Sequence, residues 1–498
     1  MPAQEKPNII LIYADDLDAD ELEYTAGATD TWATFTGAQS SEVPKLLTPH
    51  INSIAEDGIV FTRFYINSSV CTPSRYNLMS GQLATRGPDM LNRFPAGTHA
   101  TLDWYPAMLR SENNIAKELQ KLGYRTGIVG KWHNLPDEAN MPKLDQAYRK
   151  ANPTMQEISQ YEDVVKAYYK AGMDYFSEGY GWDVVDRMEW GNFIVNLDWM
   201  AEGALKFIDE SKDAPFFLYL PLPVPHGQYR YAYNDLSSLD RRICANGILD
   251  EAPGVLPADE DVYARCDAHG VPRENAMATH MDDYIGAVLD KLDTYGLREN
   301  TLVIFTSDHG SRGKNSCFEG AIRMPLFAAW PAGIEPGMRS ESLCGNIDVP
   351  ATLIEIAGGV PPEEMNRDAR SFKQQLLGKG EPPGWRESLF IEAGNSRAVV
   401  TKKWKYIANR VTPEVEQLMK ERPGVVYWSG VDHHNYNTEN MYPGYWDADQ
   451  LYDLESDLFE QQNIYESAAY CKAIPGLKRE MDRYVASLPH TFGEFGKD

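Results

Sequence analysis

The feature that most constrains this fold is a set of short apolar runs, each followed directly by side chains able to do chemistry. Four runs have the length of strands, at residues 8–13, 126–129, 216–220 and 301–305. Strands that are apolar along nearly their whole length are usually buried on both faces. The runs therefore predict a parallel sheet covered by helices.

Helical patterns lie between these runs. Thr48 and Pro49 form a start signal, because a threonine can cap a helix and a proline suits its first turn. A second pattern ends at Gly123, and apolar residues recur at helical spacing from Met277 to Leu292. Alternating strands and helices predict an α/β fold with a large mixed, mostly parallel sheet sandwiched by helices.

The pattern changes after about residue 385. Shorter alternating stretches at 397–400, 404–407 and 450–454 predict a smaller antiparallel sheet, and a closing helix is expected near 465–487. The chain is thus predicted to contain a catalytic domain at 1–385 and a C-terminal subdomain at 386–498.

In open α/β sheets, ligands bind outside the carboxyl ends of the strands. The residues that follow the four apolar runs include seven acids and bases: Asp15, Asp16, Lys131, His133, His226, Asp308 and His309. We expect them to share one crevice.

Composition excludes some functions. With 47 basic and 73 acidic residues the net charge is −26, so no nucleic-acid partner is expected and an anionic substrate needs a local positive pocket. No apolar run approaches the roughly 18 residues of a membrane span. The first seven residues lack the apolar centre of a signal peptide. We expect a cytoplasmic protein, or a periplasmic or secreted one if a leader has been removed.

The cysteines are too few for a disulfide scaffold in a chain of 498 residues. Cys244 and Cys266 could pair across one loop. Cys71, in the segment Cys-Thr-Pro-Ser-Arg, is predicted to begin a helix, where the helix dipole favours an anion. Taken alone, it could equally be a buried structural thiol.

The segment Cys71–Arg75, followed by Leu-Met-Ser-Gly at 78–81, resembles the signature of the sulfatases, in which the cysteine is converted to formylglycine. Six further blocks resemble that family in the same order, at 7–16, 48–62, 123–133, 306–325, 404–407 and 451–454. Asn134 departs from the pattern, since the family usually has leucine there.

The resemblance implies roles at matched positions. One divalent cation, Ca²⁺ or alternatively Mg²⁺, would be bound by Asp15, Asp16, Cys71 as formylglycine, Asp308 and His309; oxygen ligands suit such hard ions. The catalytic residues would be Cys71, Arg75, Lys131, His133, His226 and Lys314. His133 would act as base, and His226 with Lys314 would protonate the leaving alcohol. Arg75, Lys131 and Lys314 would hold the sulfate oxygens.

The implied function is hydrolysis of sulfate monoesters on a small molecule or glycan, preferably a sulfated carbohydrate. A formylglycine-generating enzyme would be the maturation partner. The alternatives are a phosphonate or phosphate ester hydrolase of the alkaline-phosphatase-like superfamily, and a non-catalytic binder of sulfated glycans.

Some residues are given structural interpretations. Arg323 is expected to pair with Glu319, four residues before it, and His280 to be an ordinary surface or packing residue of its helix. Two groups could line a sugar subsite or simply pack: Trp428, His433, His434, Tyr436 and Trp446, and with lower weight Arg187, Trp190, Tyr229, Arg230 and Tyr231.

Overall fold

A computed structural model describes most of the chain. The described residues are 6–19, 22, 46–102, 104–142, 153–191, 194–226, 240–423, 426–428, 430–431 and 437–493. Among these residues, no helix is both long and apolar enough to cross a bilayer.

The strands occur along the whole chain. In order they are β1 Asn8–Ala14, β2 Ile59–Tyr65, β3 Arg125–Lys131, β4 Val184–Glu189, β5 Phe216–Pro221, β6 Ile243–Cys244, β7 Gly247–Ile248, β8 Thr301–Ser307, β9 Arg323–Ala329, β10 Met338–Ser340, β11 Cys344–Gly345, β12 Leu389–Ala393, β13 Ser396–Val400, β14 Trp404–Asn409, β15 Val426–Tyr427, β16 Gly430–Val431 and β17 Asp449–Asp453.

The α-helices alternate with these strands. They are α1 Pro49–Glu56, α2 Cys71–Ser80, α3 Pro88–Arg93, α4 Ile115–Lys121, α5 Met155–Phe176, α6 Leu197–Ser211, α7 Asp259–His269, α8 Ala276–Thr294, α9 Glu319–Ile322, α10 Val349–Ile356, α11 Glu363–Asn366, α12 Lys373–Leu376, α13 Pro413–Glu421, α14 Thr438–Met441 and α15 Ile474–Ser487.

The large sheet has the strand order β10-β2-β9-β8-β1-β5-β3-β4, and β11 also pairs with β2. The four neighbours β8, β1, β5 and β3 are mutually parallel. Strand β9 runs antiparallel to both of its neighbours. Every residue of β1 is buried, as the apolar run predicts. The predicted mixed, mostly parallel α/β sheet is confirmed.

The smaller sheet, β12-β13-β14-β17, is antiparallel throughout. Helix α15 packs on it through Leu477 and Met481, so the predicted C-terminal sheet with its helix is confirmed. The predicted helix start near 465 is wrong. Helix α15 begins at Ile474 because Pro475 occupies its first turn, where a proline is best tolerated. The domain boundary at 385 stays a prediction.

A buried charge cluster joins the C-terminal sheet to the segment before β9. The Nζ atom of Lys405, in β14, lies 2.7 Å from Glu319 and 2.7 Å from Glu460. Arg323 pairs with Glu319 at 3.4 Å, as expected. Glu319 therefore pairs with two cations, Lys405 and Arg323. All three residues are buried.

Two local expectations need correction. Thr48 stands at the N-cap position of α1, but its side chain caps nothing; the carboxylate of Asp282, in α8, accepts the N–H groups of His50 at 3.0 Å and Ile51 at 2.8 Å instead. Cys244 and Cys266 are both buried free thiols, so the possible disulfide is wrong.

Candidate active site at the carboxyl edge of the sheet

The carboxyl ends of four adjacent strands form the site. Because β8, β1, β5 and β3 are parallel neighbours, the residues that follow them emerge at the same edge. This places the seven predicted residues Asp15, Asp16, Lys131, His133, His226, Asp308 and His309 in one crevice. Cys71, Arg75 and Lys314 reach the same crevice from α2 and from the loop after β8.

Cys71 is the first residue of α2 and is only 4% exposed. Its Sγ atom lies 3.2 Å from His309 Nε2, 3.5 Å from Asp15 and 3.7 Å from Lys314 Nζ. The preceding N-cap residue, Val70, provides no side-chain cap. The free N–H groups of the first turn therefore contribute a positive potential at Cys71.

Three buried carboxylates each have their own cation. Lys131 Nζ lies 2.5 Å from Asp15, Lys314 Nζ lies 2.9 Å from Asp16, and Arg75 Nη2 lies 2.9 Å from Asp308. These pairs keep the lysines and the arginine charged where solvent is excluded, because each would otherwise pay a large desolvation cost.

The donor atoms fit a metal ion. Asp15, Cys71, Asp308 and His309 offer ligand atoms that all lie within 4.8 Å of one another, and Asp15, Asp16, Cys71 and His226 form a second such group. Three of the six residues in these groups are carboxylates, and a formylglycine at position 71 would offer oxygen in place of sulfur, which suits a hard divalent cation. The described residues thus fit the implied ion.

Neighbouring charges raise two pKa values in this crevice. Burial, and then the negative charge of Asp15, raise the pKa of Asp308 to about 7. Burial alone would lower the pKa of His309, but Asp308 and Asp16 outweigh it and raise that pKa to about 9. A divalent cation bound by these two residues would favour their deprotonated forms and so lower both pKa values.

The thiol of Cys71 is strongly acidified. Burial would raise its pKa, but the positive charges of Lys131, Lys314 and His309 hold it well below the ordinary value. This electrostatic field favours an anion at position 71 whatever chemical form the side chain takes.

His133 is neutral at neutral pH and can therefore act as a base. Burial, and then the charge of Lys131, lower its pKa to about 4, and its side chain hydrogen-bonds with Cys71. Its backbone lies in the left-handed region with φ 67°, a strained conformation that tends to occur at functional sites. Tyr105, which is 58% exposed, packs edge-on against its ring at 5.8 Å.

His226 lies at the rim of the crevice. Its side chain is 24% exposed and its Nε2 atom lies 3.7 Å from Asp16. A group at this position can meet both a bound anion and solvent, as a proton donor to a departing alcohol must.

A supporting network was not anticipated from the sequence. The hydroxyl of Ser74 donates to the carbonyl of Asp308 at 2.6 Å, and it contacts Tyr13 at 2.8 Å. Asn346 donates to Ser74 and to Tyr13. Ser74 falls inside the signature segment, which is a usable signal, whereas Asn346 lies 272 residues away and carries none. Tyr105 was missed because it also lies outside any motif and carries no signal in the sequence.

The proposed sugar-subsite residues have mixed outcomes. Arg187 pairs with Asp186 and Glu202, and Trp190 packs against Tyr169 and Phe176. Both contacts are structural. Trp428 donates to the carbonyl of Tyr445, and Trp446 is 45% exposed. Tyr229, Arg230, Tyr231, His433, His434 and Tyr436 lie outside the described residues.

Residues 7–360 match the profile of the sulfatase family. The chain belongs to the sulfatase family. Residues 307–423 of this sulfatase also match the profile of the C-terminal part of N-sulphoglucosamine sulphohydrolase. The protein is therefore a sulfuric ester hydrolase.

Known proteins align with most of the length of this sulfatase. It is 27% identical to an ulvan-active sulfatase of Formosa agariphila, over 94% of this chain and 77% of the relative. It is 25% identical to an N-acetylgalactosamine-6-O-sulfatase of Bacteroides thetaiotaomicron, over 97% and 93%. A protein solved with its substrate D-glucosamine-2-N,6-O-disulfate shares the fold, with a TM-score of 0.61, 17% identity, and coverage of 97% and 98%.

Proposed function

We propose that this sulfatase removes sulfate from a sulfated carbohydrate, using a formylglycine made from Cys71 and one divalent cation, most simply Ca²⁺. The observation that carries the proposal is the position of Cys71 at the first turn of α2, with donor atoms of Asp15, Asp308 and His309 within 4.8 Å. Sulfated sugars are supported by two relatives, which are named for ulvan and for N-acetylgalactosamine 6-sulfate.

The bound cation would be held by Asp15, Asp16, Asp308, His309 and residue 71, and it would acidify a hydroxyl and polarise sulfate oxygens. The hydrated aldehyde would supply two hydroxyls, one to attack sulfur and one whose deprotonation re-forms the carbonyl and releases sulfate. A thiol has no second hydroxyl, which explains why oxidation is needed.

The chain's own residues divide the remaining work. Lys131, Lys314 and Arg75 hold the negative charge of the sulfate oxygens, since all three are buried cations beside Cys71 or its carboxylate neighbours. His133 is neutral and in contact with position 71, so it accepts the proton whose loss releases sulfate. His226, at the rim, protonates the leaving alcohol, assisted by Lys314.

The decisive measurement is the intact mass of the peptide that contains position 71, from protein co-produced with a formylglycine-generating enzyme. Conversion removes hydrogen sulfide and adds one oxygen atom, so the peptide becomes lighter, whereas ordinary thiol oxidation makes it heavier. Unchanged or heavier mass in active protein would overturn the proposed nucleophile.

Substrate class is tested with matched esters. Rates on 4-nitrophenyl sulfate and 4-nitrophenyl phosphate compare the two leaving chemistries with one alcohol, and N-acetylgalactosamine 6-sulfate tests the sugar. We expect sulfate to be preferred and the sugar ester to be hydrolysed. A preference for the phosphate ester would instead assign the protein to the phosphate and phosphonate ester hydrolases of the superfamily.

A further inference from the structure

An arginine-rich cleft lies away from the active site, between residues of the segment before 385 and residues of the C-terminal sheet and its helix. The cleft has a volume of about 730 Å³, within the usual range for ligand sites. No residue of the proposed catalytic or metal set lines it. Leu83, just beyond the end of α2, forms part of its wall. Cys71 begins that ten-residue helix, so about 15 Å of helix separates the nucleophile from the segment that leads to this wall.

Arginines dominate the charge of this cleft. Its lining holds five of them, Arg367, Arg370, Arg386, Arg479 and Arg483, and three acids, Asp368, Glu387 and Glu480. The whole chain, by contrast, carries −26. A positive cleft on a strongly negative protein concentrates anions locally, since the remaining surface repels them.

Three of these arginines have no carboxylate at ion-pair distance among the described residues. Among the ion pairs between described residues, Arg386 binds Asp348 and Arg483 binds Glu480, but none of these pairs includes Arg367, Arg370 or Arg479. Arg370 donates to the carbonyl of Gly384, a neutral acceptor, at 3.2 Å, and Arg367, after hydrogen bonds that have the larger effect, helps to lower the pKa of Glu364 without forming an ion pair with it. All three side chains belong to exposed residues.

Aromatic rings stand between the arginines. Trp385, Trp404 and Tyr484 are partly exposed and line the same cleft. Arg386 lies 5.4 Å from the ring centre of Trp385, and Arg483 lies 4.3 Å from that of Tyr484, so these guanidinium groups stack on the walls. Rigid aromatic faces beside separated cations suit a ligand that alternates ring surfaces with anionic groups.

We propose that this arginine cleft binds a sulfated polysaccharide chain without hydrolysing it. Arg367, Arg370 and Arg479 would each take one sulfate ester, and Trp385 and Trp404 would contact sugar faces. Separate guanidinium groups fit singly charged esters spaced along a polymer better than one compact multivalent anion. The choice of ligand rests on the proposed function, because a polymer held beyond the far end of the nucleophile helix keeps further esters near the nucleophile.

The experiment uses the full chain with Cys71→Ala, which cannot consume the ligand, and measures binding of dextran sulfate by calorimetry. The double change Arg367→Ser and Arg479→Ser removes two unpaired charges from exposed positions, so the fold is retained. Arg273→Ser is the matched control, because Arg273 is 63% exposed and pairs with Asp267 outside the cleft. We expect the double variant to bind at least about tenfold more weakly and the control to bind normally.

Three further comparisons separate the explanations. Unsulfated dextran should not bind, and in protein with Cys71 intact the double variant should hydrolyse 4-nitrophenyl sulfate at the normal rate. Binding of dextran sulfate with unchanged affinity by the double variant would overturn the proposal, as would equally tight binding of polyphosphate at the cleft. Cleft-dependent binding in a protein that hydrolyses no sulfate ester would support the cleft and contradict the proposed function alone.

Discussion

The side-chain amide of Asn134 donates to the backbone carbonyl of Thr72 at 2.9 Å, and it also donates to that of Pro106 at 2.9 Å. Thr72 is the second residue of α2, so Asn134 ties the first turn of the nucleophile helix to the segment that carries Tyr105. Asn134, which departs from the family pattern, thus links two segments of the active-site region.

Replacing Asn134 with the leucine common in the family should destabilise this protein. The carbonyl of Pro106 would lose this donor and that of Thr72 would keep only its helical partner, which costs about 1–3 kcal/mol in the free energy of unfolding. Urea denaturation measures this loss, with Asn440→Leu as the control, because Asn440 is an exposed helical residue whose amide donates to the exposed side chain of Asn437. Equal stability of Asn134→Leu and the parent would show that the two bonds contribute nothing.

Lys131→Met should lower kcat/KM on 4-nitrophenyl sulfate by about 100- to 1000-fold. The change keeps most of the side-chain volume but removes the buried charge beside Asp15 and position 71 that we assign to sulfate binding. Lys121→Met, at an exposed surface pair, should leave the rate unchanged. A fall of less than threefold for Lys131→Met would remove Lys131 from the proposed catalytic set.

Chelation should lower the thermal stability of the enzyme. Asp15, Asp16 and Asp308 are buried together, so a divalent cation that binds only the folded state stabilises it by about 2.7 kcal/mol at 100 times its Kd. EDTA should lower the Tm and added Ca²⁺ should restore it. In Asp308→Asn the Ca²⁺-dependent rise should largely vanish; an undiminished rise there would place the ion elsewhere.

His280 should make stability depend on pH. Burial, and then the charges of Arg241 and Arg265, lower its pKa to about 3, and Asp283 stands 4.0 Å from its Nδ1. In the unfolded chain the pKa is about 6.5, so only the unfolded state takes up a proton as the pH falls below that value. The stabilisation is full above pH 6.5, and about 2 kcal/mol is lost between pH 6.5 and pH 5.

The test compares free energies of unfolding at those two pH values in the parent and in His280→Asn. Carboxyl groups elsewhere titrate in both proteins, so the difference between the two slopes isolates the histidine. We expect the variant to have the flatter slope. Identical slopes would show that His280 is protonated, or accessible, in the folded state.

Much of the large sheet was predictable, because burial on both faces leaves a direct mark on the sequence. Strands β1, β5 and β8 coincide with uninterrupted apolar runs, and their parallel pairing follows from the helices between them. The acids and bases at the strand ends were also predictable, because they directly follow these apolar runs. The order of the strands in the sheet was not predictable, since it depends on how the helices pack and not on a local sequence pattern.

The helix starts show the limit of local signals. Thr48 has the residue type of a cap, yet Asp282, more than two hundred residues later, satisfies the N–H groups of α1. Helix α15 begins at Ile474 and not near residue 465, and Pro475 is tolerated there because it lies in the first turn. Local propensity is a weak prior, because a partner brought close by folding can satisfy the same backbone groups.

The sequence by itself determined the residue types of this protein's site, their placement after apolar strands, and the resemblance to sulfatases carried by the segment at Cys71. Only the tertiary structure decided which carboxylate pairs with which cation, that Asn346 and Ser74 support Asp308, and that arginines from separate segments line one cleft. The physical reason is the separation along the chain of the residues that interact. Strand burial and helix starts leave periodic traces along the chain, whereas an ion pair or a cleft depends on distances of a few ångströms between residues that the sequence keeps far apart.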